Sequence, residues 1–266
     1  CPPQPATAKK LLAEAGYPDG IDFTNSTNFN TVNEISISQS GTVAFTATEI
    51  GKTETTVSGQ RSTGLEISTK ASVAVVLNVS GYTNQDLTNH DDSDLTINLT
   101  AIDNAELDKD KLTTVDTIAL ASNAQVRTTA EDAVALVAGS RTLTIDGASL
   151  KITDYVNEDI EPITSARQTG TNLVVETKAS TLASLDESKL TADVTKIVLK
   201  GNAETSSAAS AETLASRIEL ESHTLTVGGY TNQNVAAVDR GTGSLVINTG
   251  EATLEKSKLI GSAADL

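Results

Sequence analysis

The sequence has almost no aromatic residues. It contains no Met and no Trp, and its 266 residues include only four Tyr and three Phe. They are Tyr17, Phe23, Phe29, Phe45, Tyr82, Tyr155 and Tyr230. A bulky globular interior usually draws much of its buried area from aromatic rings. The core must therefore be built from Val, Ile, Leu and Ala, which favours thin, layered β-structure.

Cysteine is nearly absent as well, because Cys1 is the only one. A single thiol excludes an internal disulfide and a cysteine metal cluster. Since the first residue is not Met, we expect a processed product. A cysteine at position 1 resembles the mature start of bacterial lipoproteins, and this resemblance implies that Cys1 carries a lipid. The alternatives are a cleavage boundary and an unpaired thiol that cross-links subunits.

Basic residues are few relative to acidic ones, and the formal net charge is -16. Such a surface repels phosphate backbones, so no nucleic-acid partner is expected. One explanation of this acidity is that it keeps an exposed protein soluble. The alternative is that it binds calcium, the only cofactor that the sequence suggests. Two acidic stretches hold carboxylates close enough to share a hard cation, although neither has an EF-hand pattern. The candidate ligands are Asp91, Asp92, Asp94, Asp103, Asp108 and Asp110.

Long apolar runs and catalytic patterns are also missing. No stretch approaches the roughly 20 apolar residues that span a bilayer, so no transmembrane segment is expected. The two histidines, His90 and His223, have no His or Cys companion nearby and are expected to be ordinary surface residues. No nucleophile-elbow or phosphate-loop pattern occurs. We therefore expect a protein that is not an enzyme.

Three N-x-S/T triplets are present, at Asn25, Asn78 and Asn98. They are glycosylation acceptors if the protein is secreted, although a chain so rich in Asn, Ser and Thr supplies such triplets readily by chance.

The chain repeats itself at a long period. The stretch VSGYTNQDL at 79–87 returns as ITDYVNEDI at 152–160 and as VGGYTNQNV at 227–235, which places Tyr82, Tyr155 and Tyr230 73 and 75 positions apart. A fixed period of this length is typical of repeat architectures. If the repeat places these tyrosines on one edge, they form an exposed row that contacts glycan or another subunit; otherwise each covers the end of its turn.

A shorter unit lies inside each long repeat. Short alternating segments typical of half-buried strands begin near Leu77, Leu95, Ile118, Leu143, Leu173, Ile197, Leu225 and Leu245, at a mean spacing of about 24. Each is followed by a polar, acidic cluster that ends in an aliphatic residue: Leu87, Leu107, Val134, Ile160, Leu190, Leu214, Val235 and Leu259. We therefore predict a mostly β fold, a β-solenoid of about 24-residue coils with short helical turns and three coils in each long repeat.

Tandem immunoglobulin-like β-sandwiches are the alternative. The repeat length fits such a domain, and residues 34–72 show Thr-Val alternation without the helical-turn element. Against this alternative stand the acidic clusters and the scarcity of aromatic core anchors.

Three regions are predicted: an N-terminal helical segment at 1–24, a β-rich cap or small domain at 25–71, and the repeat region at 72–266. Residues 5–24, which include LLAEAGYPDG, resemble a helix-turn-strand segment of the periplasmic oligopeptide-binding proteins of ABC importers. That resemblance implies a two-lobed α/β solute-binding lipoprotein.

The repeat region resembles the Thr- and Ala-rich repeats of prokaryotic surface proteins, namely adhesins, surface-layer subunits and filament subunits. This resemblance implies a secreted or cell-surface protein. The first hypothesis is a homo-polymer, since the ends of a β-rich rod template pairing with another chain. The second is an adhesin that binds glycan or another cell, and the third is the solute-binding lipoprotein.

Overall fold

The computed structural model of the chain describes nine stretches of sequence. They are residues 34–51, 65–70, 72–90, 93–138, 141–145, 147–166, 172–190, 193–250 and 253–260. Five predicted features lie outside these described residues: the helix at 5–24, Cys1, Asn25, Asp91 and Asp92.

The described residues are mostly β, as the sequence predicts, and their strands form parallel sheets. The first nine strands are β1 (Glu34–Ile37), β2 (Gly41–Thr46), β3 (Glu66–Thr69), β4 (Val75–Tyr82), β5 (Leu95–Ala101), β6 (Glu106–Leu107), β7 (Thr117–Leu120), β8 (Gln125–Thr129) and β9 (Thr142–Thr144). The others are β10 (Ser149–Tyr155), β11 (Asn172–Thr177), β12 (Ala183–Leu185), β13 (Val194–Val198), β14 (Ala203–Thr205), β15 (Ile218–Glu219), β16 (Thr224–Tyr230) and β17 (Ser244–Thr249).

Helices within the described residues are short. They are α1 (Ala47–Ile50), α2 (Ala130–Leu136), α3 (Glu187–Leu190), α4 (Ala208–Leu214) and α5 (Lys256–Leu259), with 3₁₀ turns at Glu161–Ala166 and Ala215–Arg217. The two longest begin alike, because the hydroxyl of Thr129 caps α2 and that of Ser207 caps α4 by accepting a backbone N–H three residues on. None of the described helices has the length and apolar character needed to cross a membrane.

Four sheets are present among the described strands. Their strand orders are β1-β3, β2-β4-β5-β7-β9, β6-β8-β10-β11-β13-β15 and β12-β14-β16-β17. Every described strand pair is parallel. Immunoglobulin-like sandwiches are built from antiparallel pairs, so that alternative is wrong for the described strands. Parallel neighbours require a crossover, and most crossovers here supply a strand to a second sheet. The crossovers from β4 to β5, from β10 to β11 and from β16 to β17 contain none of the described strands.

From β5 to β10 the chain alternates between the five-stranded and the six-stranded sheet. It returns to a given sheet after about 20 to 25 positions: Val75 pairs with Leu95, Thr117 with Thr142, and Ser149 with Asn172. Side chains alternate between buried and exposed along the strands, as in the BiBeBeiB pattern of β4. The buried side chains form one continuous apolar cluster that extends from Phe45 to Val238.

The eight predicted strand positions all fall within strands, and the predicted inward aliphatic residues are buried or partly buried. The pattern nevertheless does not predict several strands that lie between these positions, among them β6, β8, β12 and β14. These strands are only two to five residues long, so they leave a weak alternation signal.

Each long repeat holds the three predicted returns and one additional crossing between sheets. Starting from β4, the chain returns three times to the same sheet, through β5, β7 and β9, and then crosses to the six-stranded sheet to form β10. Starting from β10, it returns through β11, β13 and β15 and then crosses to β16 in the four-stranded sheet. One long repeat is therefore three returns plus one crossing, so equivalent strands of successive repeats lie in different sheets.

The boundary predicted between residues 71 and 72 falls inside a sheet. Strand β2 pairs with β4 at six positions, from Gly41 with Val75 to Thr46 with Ser80. The described part of the 25–71 region therefore continues the same layers as the repeat region.

Candidate functional site

Each of the three repeated stretches contains a β-bulge just before its tyrosine. In β4, Val79 pairs with Leu99, but Tyr82 pairs with Ala101, so one strand holds an extra residue. The same shift precedes Tyr155 and Tyr230. The residue before each tyrosine has a left-handed backbone: Gly81 (φ 70), Asp154 (φ 58) and Gly229 (φ 62). A left-handed residue at a bulge is the usual way to fit an extra residue into a strand.

The bulge decides where the tyrosine side chain lies. Val79 points into the core, so regular alternation would place Tyr82, three positions later, on the outer face. The extra residue reverses this, and Tyr82, Tyr155 and Tyr230 all have 0% exposure. The expectation that these three residues form an exposed contact row is therefore wrong, because burial leaves their rings no access to a partner.

The three phenol hydroxyls are buried and have no hydrogen-bond partner among the described residues. Burial raises the pKa of all three tyrosines, and nearby carboxylates raise it further, with Asp108 the first of these for Tyr82 and Glu158 for Tyr155. A hydroxyl buried without a partner costs free energy. The rings therefore stabilise the stack through their apolar area, and their hydroxyls oppose it.

The polar residues that follow each tyrosine hold the turn together. A side-chain oxygen three residues after the tyrosine accepts the backbone N–H of the residue directly after it: Gln85 from Thr83 (2.9 Å), Glu158 from Val156 (2.7 Å) and Gln233 from Thr231 (2.8 Å). The next residue accepts the N–H two positions on: Asp86 from Thr88, Asp159 from Glu161 and Asn234 from Ala236. These side chains cap their own backbone, which leaves the repeated motif with a structural role.

Successive turns also bond to each other. The N–H of the closing aliphatic residue donates to a carbonyl of the next turn: Leu87 to Lys111, Ile160 to Lys189 and Val235 to Lys258. The ammonium groups of two of these lysines reach back to the asparagine of the motif. Lys111 Nζ lies 3.2 Å from Asn84 Oδ1, and Lys189 Nζ lies 3.2 Å from the Asn157 carbonyl oxygen. The repeat is therefore a stacking unit.

Most of the described calcium candidates accept hydrogen bonds from the backbone. Three of them accept an N–H: Asp94 from Ser72, Asp103 from Gln125 and Asp108 from Asp110. The fourth, Asp110, pairs with Lys109 at 3.1 Å. Within the described ranges, no three His, Cys, Asp or Glu side chains are grouped as a metal site would require. Calcium binding at the six candidate residues stays a prediction, and two of them, Asp91 and Asp92, lie outside the described residues.

Asn78 and Asn98 lie directly opposite each other on adjacent strands. The Asn98 side-chain amide donates to Asn78 Oδ1 at 3.1 Å, so the two form a ladder on the outer face of the sheet. Glycan acceptors usually lie in surface loops. These two triplets are instead parts of regular strands, and their glycosylation stays a prediction.

The two histidines differ in their surroundings. His90 is only 1% exposed, and its Nδ1 accepts the N–H of Ile67 at 3.2 Å. The expectation of a surface position is therefore wrong for His90, because its ring joins two turns across the core. His223 is half-buried; its backbone N–H donates to the carbonyl of Leu220 in the same turn, and its carbonyl accepts the N–H of Ser244 in the next turn.

The outer faces of the two longest sheets carry different chemistry. On the six-stranded sheet, ion pairs connect neighbouring strands: Arg127 with Glu106 (3.0 Å), Lys151 with Glu176 (3.1 Å) and Lys196 with Glu219. The outward positions of the five-stranded sheet hold no charged residue. They are Thr42, Ala44, Thr46, Val76, Asn78, Ser80, Thr96, Asn98, Thr100, Thr117, Ala119, Thr142 and Thr144, and we call this set the neutral face. Strict alternation within each strand is the sequence signal that would have identified it.

Both ends of the stack expose strand edges. At one end, β2 pairs only with β4 among the described strands, and a groove beside it is lined by Ile35, Ile37, Val43 and Phe45. At the other end, β17 pairs only with β16 among the described strands.

The inward residues Leu245 and Ile247 of β17 are only partly buried. Ile97 and Val175, at equivalent positions of β5 and β11, have 0% exposure. Among the residues that the structure describes, β17 therefore lacks the neighbour that covers its equivalents.

Comparison with protein-family models, with curated proteins and with solved structures finds no match to this chain.

Proposed function

We propose that this chain is a β-solenoid and an extracellular structural subunit that joins copies of itself end to end into a filament or layer. The solenoid is supported by parallel pairing at a spacing of 20 to 25 positions and by the continuous apolar cluster. A solenoid coil buries too little to stand alone and is stabilised by its neighbours. The terminal coils of such a stack are the natural sites of association.

The observation that carries the proposal is the state of β17. Its inward residues are left partly exposed where the equivalent residues of β5 and β11 are fully covered. An open parallel edge with apolar inward side chains accepts another strand of the same direction. Strand β2 of a second copy offers such a strand, with Val43 and Phe45 as its inward residues.

Charge at the two ends supports head-to-tail contact. The β2 end carries Glu34 and Glu66, which lie opposite each other on paired strands. The β17 end carries Lys256 and Lys258 on α5, and Lys258 also pairs with Glu255 of the same end at 3.3 Å. Lysines that face the two glutamates favour one orientation of two copies, although each copy carries a net charge of -16. A contact between two different surfaces of this kind extends into an open chain unless it closes into a ring.

Negative-stain imaging and sedimentation of purified protein test the proposal. Ile247→Lys places a charge at the inward position of β17, where a docked copy would bury it without a partner. We expect filaments from the unchanged protein and monomers from this variant. Monodisperse monomers from the unchanged protein under all salt and calcium conditions would overturn the proposal.

Val246→Lys is the matched control, because Val246 lies in the same strand but points outward and is 41% exposed. A lysine there stays in water after docking, so filaments should persist. Equal loss of filaments in both variants would show that added charge, and not burial at the edge, disrupts assembly.

A further inference from the structure

We infer that the neutral face is a second self-association surface, through which two copies pack sheet against sheet. The inference rests on the proposed self-assembly, but it concerns a different surface: the side of the stack and not its ends.

The distribution of charged side chains favours this face for contact between two copies. The chain carries 35 acidic and 19 basic residues, so two copies repel each other over most orientations. The six-stranded sheet presents charged side chains on its outer face. The neutral face presents none over five strands, so two copies that meet there bury no charged side chain from these strands.

The acidic residues that border the neutral face are held by hydrogen bonds. At the β2 edge, Glu49 Oε2 accepts the backbone N–H of Thr46 at 2.7 Å and its hydroxyl at 2.9 Å. Asp116 Oδ2 accepts the N–H of Ile97 at 2.7 Å, and Asp94 Oδ2 accepts the N–H of Ser72 at 3.0 Å. Both aspartate carboxylates are therefore fixed within turns and do not reach over the face.

The face is also regular. Paired positions align its side chains in rows, such as Ala44, Asn78, Asn98, Thr117 and Thr142. Successive side chains within a row are spaced by the strand separation of about 4.8 Å, which a second copy reproduces because it is the same surface. Two identical faces related by a two-fold axis form a self-complementary contact.

The size of the face sets the strength of the contact. Five strands with two or three outward positions each cover on the order of 400 Å². A stable interface buries about 800 Å² on each partner, so an isolated pair of copies is held weakly. Along a filament the same contact recurs in every subunit, and many weak contacts act together. The neutral face therefore favours lateral pairing of filaments into a layer.

Thiol trapping tests the inference without requiring filaments. In a Cys1→Ser, Ile247→Lys background, which blocks end-to-end growth, Thr100→Cys places a thiol on the neutral face. Thr153→Cys places one on the outer face of β10 in the six-stranded sheet, and both positions are half-buried. We expect a short bis-thiol cross-linker to trap dimers of Thr100→Cys at least about tenfold faster, and adding Thr96→Glu to abolish this excess.

Equal trapping of the two cysteine variants would overturn the inference. Retention of the protein on insoluble cellulose that Thr96→Glu abolishes, without preferential trapping, would overturn it in favour of a neutral polysaccharide partner. Preferential trapping in a protein that forms no filaments would uphold the lateral surface and reject the end-to-end proposal alone.

Discussion

The backbone of Asp154 is left-handed, with a φ of 58°, and the side chain of the next residue, Tyr155, is fully buried. The first fact produces the second, because the bulge at Asp154 turns an outward position inward. Gly81 and Gly229 do the same for Tyr82 and Tyr230. The repeated motif therefore specifies a turn that positions a core side chain.

Substitution of the bulge glycine tests this relationship. Gly229→Ala should lower the free energy of unfolding by about 1–2 kcal/mol, because a left-handed backbone strains a side chain. A Cβ at Gly229 meets no atom within 4 Å, so steric contact does not contribute. Denaturant unfolding measures the change.

Gly228→Ala is the control for that experiment. Gly228 lies in the same strand, and a Cβ there also meets nothing within 4 Å, but its backbone is not left-handed. We expect no loss of stability, and equal losses at both glycines would contradict the role of the bulge.

The tyrosine hydroxyl is predicted to be dispensable. Tyr155→Phe should leave the free energy of unfolding unchanged or raise it by about 1 kcal/mol, because it removes a buried hydroxyl that has no partner. Tyr155→Leu should lower it by about 2 kcal/mol or more, since it leaves a cavity. A loss on Tyr155→Phe as large as that on Tyr155→Leu would refute this account of the hydroxyl.

Stability should fall at alkaline pH. Burial raises the pKa of Tyr82, Tyr155 and Tyr230 above the usual value of about 10, so these groups stay protonated in the folded state while the unfolded chain ionises. Their contribution is intact below pH 10 and is lost as pH rises above it, by at most about 1.4 kcal/mol per pH unit for each tyrosine, until pH passes the folded-state pKa of that tyrosine. Unfolding at several alkaline pH values measures the slope, and the triple Tyr→Phe variant should flatten it.

The side-chain oxygen of Glu158 that caps its turn should tolerate the loss of its charge but not the loss of the oxygen itself. Glu158→Gln should preserve stability, because Gln85 and Gln233 make the same bond in the other two repeats. Glu158→Ala should cost about 1 kcal/mol, since the N–H of Val156 loses its acceptor. Thermal unfolding of the two variants distinguishes a capping oxygen from a required charge.

The sequence predicts the inward residues better than the path of the chain. Leu87, Ile160 and Val235 are buried as predicted, because acidic turn residues followed by one aliphatic side chain leave a clear pattern. Between the two alternatives for Tyr82, the sequence does not decide, since one extra residue in a strand reverses every later side chain. Short strands such as β6 and β12 were missed because two or three residues cannot show alternation.

The neutral face was not predicted at all. Its members are scattered over about one hundred positions, and only the register of five parallel strands brings Thr42 and Thr144 onto one surface. The overall charge of -16 gives no sign of a surface without charges.

Fibre diffraction from aligned assemblies tests the central proposal most directly. If copies join end to end through β17 and β2, the strands lie across the filament axis and stack along it. We therefore predict a strong meridional reflection at about 4.8 Å. The Ile247→Lys variant should yield no oriented fibre. Filaments of the unchanged protein that lack this meridional reflection would contradict end-to-end stacking of the coils.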